Sequence, residues 1–179
     1  CELLYLIHGN NFKFTGIDLF ENDTKKLDEE VAPHTKFSNP LKNIYYRYII
    51  KSDPYSFESV LKLLKKFTSN IKIIKGDSNN ILKDLEIDKI DYVFLDGGHK
   101  YETVKNDLEC LKNIIKNDGT ILCDDYNLTY APGIKLAIDE YILNNNFNIR
   151  ILNDRFAEIT NKSKWFLILS LYWRIFNNN

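Results

Sequence analysis

The sequence predicts an α/β protein built on a doubly wound sheet. Short apolar runs of strand length alternate with amphipathic stretches of helical period along the 179 residues. Strands that are separated by helices of this length pair in parallel through right-handed crossovers, so we expect a mostly parallel sheet. Four of the predicted strands end in acid, and sheets of this class bind ligands at the carboxyl ends of their strands.

The predicted strands are short and rich in β-branched and aromatic residues. They cover residues 12–19, 71–75, 90–95, 120–123, 147–152 and 165–171. The run at 90–95, IDYVFL, is typical of a strand that is buried within a sheet.

Helices are predicted over residues 56–68, 79–85, 101–116 and 134–143. Ser56 is placed to cap the first of them. Apolar residues from Val104 to Ile115 recur on one face of the third, and Asn117-Asp118-Gly119 is expected to stop it. Residues 21–55 form a long polar connection of the kind that often serves as a lid or substrate loop.

We interpret residues 1–179 as a single domain that is truncated at its N-terminus. The length suffices for one hydrophobic core, and we find no internal repeat. The chain contains no Met and opens within an apolar stretch, Cys1–Ile7. The apolar tail at residues 165–176 is shorter than the roughly 20 residues of a membrane span, so no span is expected.

Charge and cysteine content narrow the class of protein. A net charge of -1 without a basic stripe gives no reason to expect nucleic acid as a partner. Three cysteines without CxxC spacing argue against a disulfide framework or a zinc knuckle and favour a reduced, cytoplasmic setting. Cys110 and Cys123 have apolar neighbours, and we expect both to be buried.

Two acidic residues follow strands in the first half of the chain. Asp18 closes a strand in the segment GIDLF, where a carboxylate can accept two hydrogen bonds from a ribose diol. Asp77 follows Gly76, and could accept from an adenine amino group where glycine lets the backbone approach a ligand. The alternative for Asp18 is a helix N-cap or a solvated acid in a turn, and the alternative for Asp77 is a plain turn.

A second group of polar residues follows the next two strands. Asp96-Gly97-Gly98-His99 ends one strand and Asp124-Asp125 ends the other, and neighbouring strands lie about 4.8 Å apart. Three converging carboxylates repel each other unless a cation lies between them, and an all-oxygen set selects Mg²⁺, Ca²⁺ or Mn²⁺. Both Asp124 and Asp125 can be ligands only if the strand has ended before them; capping of the next turn is the alternative.

The order of these motifs resembles the class I S-adenosylmethionine-dependent methyltransferases, in particular the metal-dependent small-molecule and sugar O-methyltransferases. The segments that carry the resemblance are GIDLF, IIKGDS, YVFLDGGHKYETVKNDLECL, NDGTILCDDY and PGIKLAIDEY. The resemblance implies a seven-stranded Rossmann-like sheet in the order 3-2-1-4-5-7-6, with residues 12–19 as the second strand. The first strand and the acid-glycine loop that holds the methionine part of the cofactor would precede this chain.

The same resemblance implies cofactor contacts. Asp18 corresponds to the residue that binds the ribose of S-adenosylmethionine, and Asp77 with Ser78 lies near the adenine. Asp96 is expected beside the cofactor as well as in the metal site.

The resemblance also implies the reaction. Asp96, Asp124 and Asp125 are similar to the metal ligands, and His99 matches the general base. Some relatives have an acid where this chain has Gly98, so this chain would depend on His99. A divalent cation such as Mg²⁺ would bind the acceptor hydroxyl and His99 would take its proton. The acceptor would be a small molecule or a glycan.

Two other functions fit parts of the pattern. Asp18 is also compatible with a nucleotide-binding oxidoreductase of the NAD type, although such sheets do not usually carry DGGH and DD on successive strand ends. The chain could also be a non-catalytic α/β interaction module. The sequence leaves the oligomeric state open, a homo-oligomer included.

Overall fold

The structure, a computed structural model, describes residues 7–9, 11–20, 56–65 and 70–161. Helices alternate with strands along these residues, which confirms the predicted α/β class. The expected loop at 21–55 and the expected strand and tail between 165 and 176 lie outside the described residues. Within the described ranges, no helix has the length and apolar character of a membrane span. The chain divides into two compact units, residues 1–81 and 82–179.

The first unit contains a pair of parallel strands. Its elements are β1 (Phe14–Asp18), α1 (Phe57–Leu64) and β2 (Ile71–Lys75), followed by α2 (Ser78–Asp84), which contains the division between the units. The register aligns Phe14 with Ile71 and Asp18 with Lys75, so both strands end together. Ser56 caps α1 as predicted, because its hydroxyl accepts a hydrogen bond from the Ser59 N–H at 3.2 Å.

The second unit is a four-stranded sheet with two long helices. Its elements are β3 (Ile90–Leu95), α3 (Tyr101–Ile114), β4 (Ile115–Cys123), α4 (Pro132–Asn145), β5 (Phe147–Leu152) and β6 (Phe156–Asn161). The strand order is β3-β4-β6-β5. β3 and β4 are parallel, whereas β6 is antiparallel to both β4 and β5.

The hydrophobic core of the second unit lies between the two helices and the sheet. Its buried apolar side chains include Val104, Leu108, Leu111, Ile115, Ile121, Cys123, Ile134, Ala137, Ile138, Tyr141, Ala157 and Ile159. The predicted apolar face is confirmed for Val104, Leu108 and Leu111 of α3, whereas Ile115 is buried but belongs to β4. This core fixes the positions of the ends of β3 and β4, which carry the second group of acidic residues.

The sheet of the second unit is mixed, so the expectation of a mostly parallel sheet is not confirmed. Sequence analysis did not predict β6. A tight turn joins it to β5: the Arg155 N–H donates to the Leu152 carbonyl at 3.1 Å, and Asn153 and Asp154 both have positive φ. So short a connection only allows antiparallel pairing. The described strands form a two-stranded and a four-stranded sheet, so the continuous order 3-2-1-4-5-7-6 is not confirmed either.

The prediction that Asn117-Asp118-Gly119 stops α3 was wrong. The helix ends at Ile114, and the backbone is already extended at Ile115. Ile115 is buried, so its side chain holds the chain in the core and β4 begins there. Gly119 lies within β4, where a β carbon would come within 2.7 Å of the Ile115 side chain.

Replacing Gly133 with alanine is expected to destabilise the protein, although alanine favours helices. A β carbon at this position in α4 would lie 2.8 Å from the backbone nitrogen of Tyr101. Overpacking of this kind costs about 1–3 kcal/mol, which exceeds the gain in helix propensity of about 1 kcal/mol. Urea unfolding measures the difference. Asn144→Ala, at an exposed position of the same helix, is the control and should not destabilise.

Candidate functional site

The ends of β1 and β2 bring two of the predicted cofactor residues to one edge of the first unit. The Gly76 N–H donates to the Asp18 carbonyl at 2.9 Å, and Asp77 follows directly. Asp18 is exposed, and its Oδ1 accepts from the Phe20 N–H at 2.7 Å. Gly76 has a φ of 150°, and a β carbon there would lie 2.9 Å from the Ile81 side chain, so the turn requires glycine.

Asp77 caps α2, whereas the alternative that the sequence indicated for it was a plain turn. Its Oδ1 accepts from the backbone N–H of Asn79 at 2.9 Å and from the Asn79 side-chain amide at 3.1 Å. Ser78 is the first residue of the helix. Contact of Asp77 and Ser78 with an adenine remains a prediction.

The ends of β3 and β4 bring the second group of predicted residues together in one pocket. The pocket is lined by Asp96, Gly97, Gly98, His99, Asp124 and Asp125. Leu95 and Cys123 are paired in the parallel register, and the Asp124 N–H donates to the Leu95 carbonyl at 3.0 Å. Because the two strands end side by side, their polar residues converge.

His99 lies beside Asp125 in this pocket. The distance between His99 Nε2 and Asp125 Oδ2 is 3.4 Å, and both side chains are about three-quarters buried. The regular strand ends at Cys123, and Asp125 adopts a φ of 57°. The carboxylate is close enough to hold the imidazole in one orientation.

Arg155 is a member of this pocket that sequence analysis missed. Its Nε donates to Asp124 Oδ1 at 2.5 Å and its Nη2 donates to Asp124 Oδ2 at 2.6 Å. The Asp124 side chain is only 5% exposed, and this ion pair holds the pKa of its carboxyl below the usual range. Arg155 Nε also lies 3.6 Å from Asp125 Oδ1. One guanidinium therefore engages both carboxylates that follow β4.

The hairpin of β5 and β6 explains why Arg155 reaches these carboxylates. β6 runs antiparallel to β4 with Cys123 opposite Ala157, so the residues after Cys123 lie beside those before Ala157. The Tyr126 N–H donates to the Arg155 carbonyl at 2.8 Å. The sequence carries only a weak signal for the role of Arg155. This residue is one of four arginines among 24 Lys and Arg residues, and it follows the Asn153-Asp154 turn.

The observed arrangement does not fit the divalent cation that the sequence predicts at Asp96, Asp124 and Asp125. Arg155 donates to both carboxylate oxygens of Asp124, so a divalent ion would have to compete with its guanidinium for them. Partial desolvation, followed by the charges of Asp124 and Asp125, raises the pKa of Asp96, so the three carboxylates do influence one another. Over the described residues, no group of three His, Cys, Asp or Glu side chains is arranged to hold a metal ion.

Asp107 of α3 lies against the turn after β3, and the apolar pattern of that helix gave no signal for it. Its side chain is 1% exposed. A β carbon on Gly97 would lie 3.3 Å from Asp107 Oδ2, so glycine permits the close approach of turn and helix.

The two described cysteines are expected to differ in reactivity. Cys123 is 1% exposed, and burial raises the pKa of its thiol to about 12, whereas Cys110 is half-buried. The prediction that both cysteines are buried is therefore confirmed for Cys123 and not for Cys110. Because the thiolate is the nucleophile, a maleimide should modify Cys110 in the native protein and Cys123 only after unfolding. Peptide mapping by mass spectrometry checks this; equal native rates would contradict the burial of Cys123.

Comparison with known proteins identifies the fold. The model of a family described as a methyltransferase domain matches residues 2–126, more than half of the chain. The O-methyltransferase NovP is similar in structure, with a TM-score of 0.61, 17% identity, and coverage of 89% of this chain and 64% of NovP. CalS11, a TDP-rhamnose 3'-O-methyltransferase of calicheamicin biosynthesis, has a TM-score of 0.53 and 16% identity, with coverage of 88% and 64%.

The chain spans less than two thirds of the length of these two solved structures. No curated protein sequence matches it. At identities this low, the structural similarity establishes an α/β fold of the Rossmann-like methyltransferase type.

Proposed function

We propose that this chain, which belongs to the methyltransferase-domain family, transfers a methyl group from S-adenosylmethionine to a hydroxyl of a small molecule or sugar. The observation that carries the proposal is the pocket at the ends of β3 and β4, where His99 and Asp125 lie 3.4 Å apart. Structural similarity to NovP and to a TDP-rhamnose 3'-O-methyltransferase supports oxygen as the methylated atom. A glycan or small-molecule hydroxyl is therefore the acceptor class.

The first unit supplies the proposed cofactor contacts. S-adenosylmethionine carries an electrophilic methyl group on a positively charged sulfur. The exposed carboxylate of Asp18 accepts hydrogen bonds from its ribose, and Asp77 with Ser78 lies against its adenine. Support comes from the joint ending of β1 and β2, which brings Asp18 and the turn at Gly76-Asp77 to one edge. Asp96 is also assigned to the cofactor.

The second unit supplies the proposed proton transfer. His99 takes the proton of the acceptor hydroxyl while Asp125 orients the imidazole and stabilises its charge. The oxygen forms its bond to the methyl carbon as the carbon–sulfur bond breaks. Holding the reactants close and aligned provides much of the acceleration. We assign no step to Mg²⁺, because Arg155 takes the Asp124 oxygens.

The organisation of the chain is part of the same proposal. Residues 1–179 belong to a single methyltransferase domain of the Rossmann-like type. The similarity to NovP, which extends over 89% of the chain, supports this.

Calorimetric titration of the full-length protein with S-adenosylhomocysteine tests the proposal. We expect binding at one site, and Asp18→Asn should weaken it by about 10- to 100-fold, since it removes charge-assisted hydrogen bonds. Asp91→Asn, at an exposed position of β3, is the matched control and should bind like the wild type. NAD should not bind.

Binding of NAD that depends on Asp18 would favour the oxidoreductase alternative. A folded protein that binds neither ligand would contradict the proposed transferase and leave the interaction module.

A further inference from the structure

We propose that Arg155 is the resident cation of the carboxylate pocket, so that its guanidinium takes the place a divalent metal would occupy beside Asp124 and Asp125. The electrostatic role that follows for acceptor methylation rests on the proposed function. The competition between Arg155 and a metal ion for the carboxylates does not rest on the proposed function, because neither cofactor nor acceptor takes part in it.

The contact with Asp124 has the geometry of a strong ion pair. Two parallel N–H···O bonds of 2.5 and 2.6 Å join the planar guanidinium to both oxygens of the carboxylate. Bidentate pairing of this kind combines charge with geometric specificity. Since the Asp124 side chain is only 5% exposed, its charge requires a partner, and Arg155 satisfies it.

A metal ion and this guanidinium compete for the same oxygens. Mg²⁺ binds carboxylate oxygens at about 2.0–2.1 Å and Ca²⁺ at about 2.3–2.6 Å. Each Asp124 oxygen already accepts a hydrogen bond from Arg155, and Oδ1 accepts a second from the Asp125 N–H at 2.7 Å. A metal ion would also meet the positive charge of Arg155 at close range, so metal binding competes with this ion pair.

Arg155 is anchored in the sheet and does not depend on side-chain contacts alone. Its backbone N–H donates to the Leu152 carbonyl at 3.1 Å, and its carbonyl accepts from Tyr126 at 2.8 Å. Its guanidinium carbon lies 5.1 Å from the ring centre of Phe156. These contacts fix the start of β6 beside the end of β4 and hold the guanidinium in the pocket.

The position of Arg155 also gives it a chemical role. Its Nε lies 3.6 Å from Asp125 Oδ1, and the other oxygen of Asp125 faces His99. The Arg155 side chain is 57% exposed, so part of its five-donor fork faces solvent. These donors can stabilise an acceptor oxygen as it loses its proton, which is the contribution usually ascribed to a metal.

Titration of the full-length protein with Mn²⁺, followed by electron paramagnetic resonance, tests the proposal without cofactor or acceptor. The wild type should show no stoichiometric Mn²⁺ binding at millimolar concentration. Arg155→Ala should gain a Mn²⁺ site with an affinity at least tenfold higher than that of any residual binding by the wild type. Arg150→Ala is the matched control, because it removes an arginine that pairs with Glu158 at 2.7 Å in the same hairpin, and it should behave like the wild type.

One Mn²⁺ bound per wild-type chain and lost in Asp124→Asn would overturn the proposal. So would a folded Arg155→Ala variant that gains no binding. If that variant does not fold by circular dichroism, Arg155→Gln carries the same test. Since S-adenosylhomocysteine binding is measured separately, failure here is distinguishable from failure of the proposed transferase function.

Discussion

Replacing His99 with alanine is expected to lower the turnover number for methyl transfer by about 10²- to 10⁴-fold, the usual contribution of a general base. His99 is the histidine of the pocket at the ends of β3 and β4, and Asp125 lies 3.4 Å from its Nε2. The proposed contacts to the cofactor ribose and adenine come from other residues. The dissociation constant for S-adenosylhomocysteine should therefore change little while turnover falls.

His8→Ala is the matched control, because His8 is exposed in the first unit. It should leave turnover unchanged. Steady-state kinetics with S-adenosylmethionine and a methyl acceptor measure both variants. Equal turnover of His99→Ala and the wild type would remove His99 from the catalytic role and leave the base unassigned.

Replacing Leu108 with alanine is expected to lower the free energy of unfolding by about 2–5 kcal/mol, because it opens a cavity in a packed core. Leu108 is 0% exposed and lies on the buried face of α3. A loss of this size would remove a large share of the stability of an ordinary domain.

Leu143→Ala makes the same chemical change on α4 at a position that is 84% exposed. It should change the free energy of unfolding by no more than about 0.5 kcal/mol. Chemical denaturation followed by circular dichroism compares the two variants. Similar losses in both would mean that α3 does not bury Leu108 in this core.

Strands with a clear apolar run were predictable in position. The predicted bounds of β2, β3 and β5 are confirmed, because turn-forming residues mark where these strands begin or end. Gly76 follows β2 and Asp96 follows β3. Asn145-Asn146 precedes β5, and Asn153-Asp154 follows it. β6 was not predictable by the same signal. Its sequence, FAEITN, buries only Ala157 and Ile159, with Glu158 between them and two polar residues after them, so it has no continuous apolar run.

The site was predictable where it depends on topology. The rule that parallel strands end at one edge places Asp96, His99, Asp124 and Asp125 together, and the structure brings these residues into one pocket. Arg155 is separated from Asp124 by 31 residues, and their contact depends on the antiparallel register of β6. Because β6 was not predicted, no basic residue was expected beside the carboxylates. A metal ion was therefore predicted to balance their charge.

A crystal structure of the full-length protein with S-adenosylhomocysteine tests the central claim most directly. The account predicts that the ribose hydroxyls lie within hydrogen-bonding distance of the Asp18 carboxylate and that the adenine lies beside Asp77 and Ser78. Fully occupied ligand at another place, or no ligand at saturating concentration in a folded protein, would contradict the assignment of this chain as an S-adenosylmethionine-dependent methyltransferase.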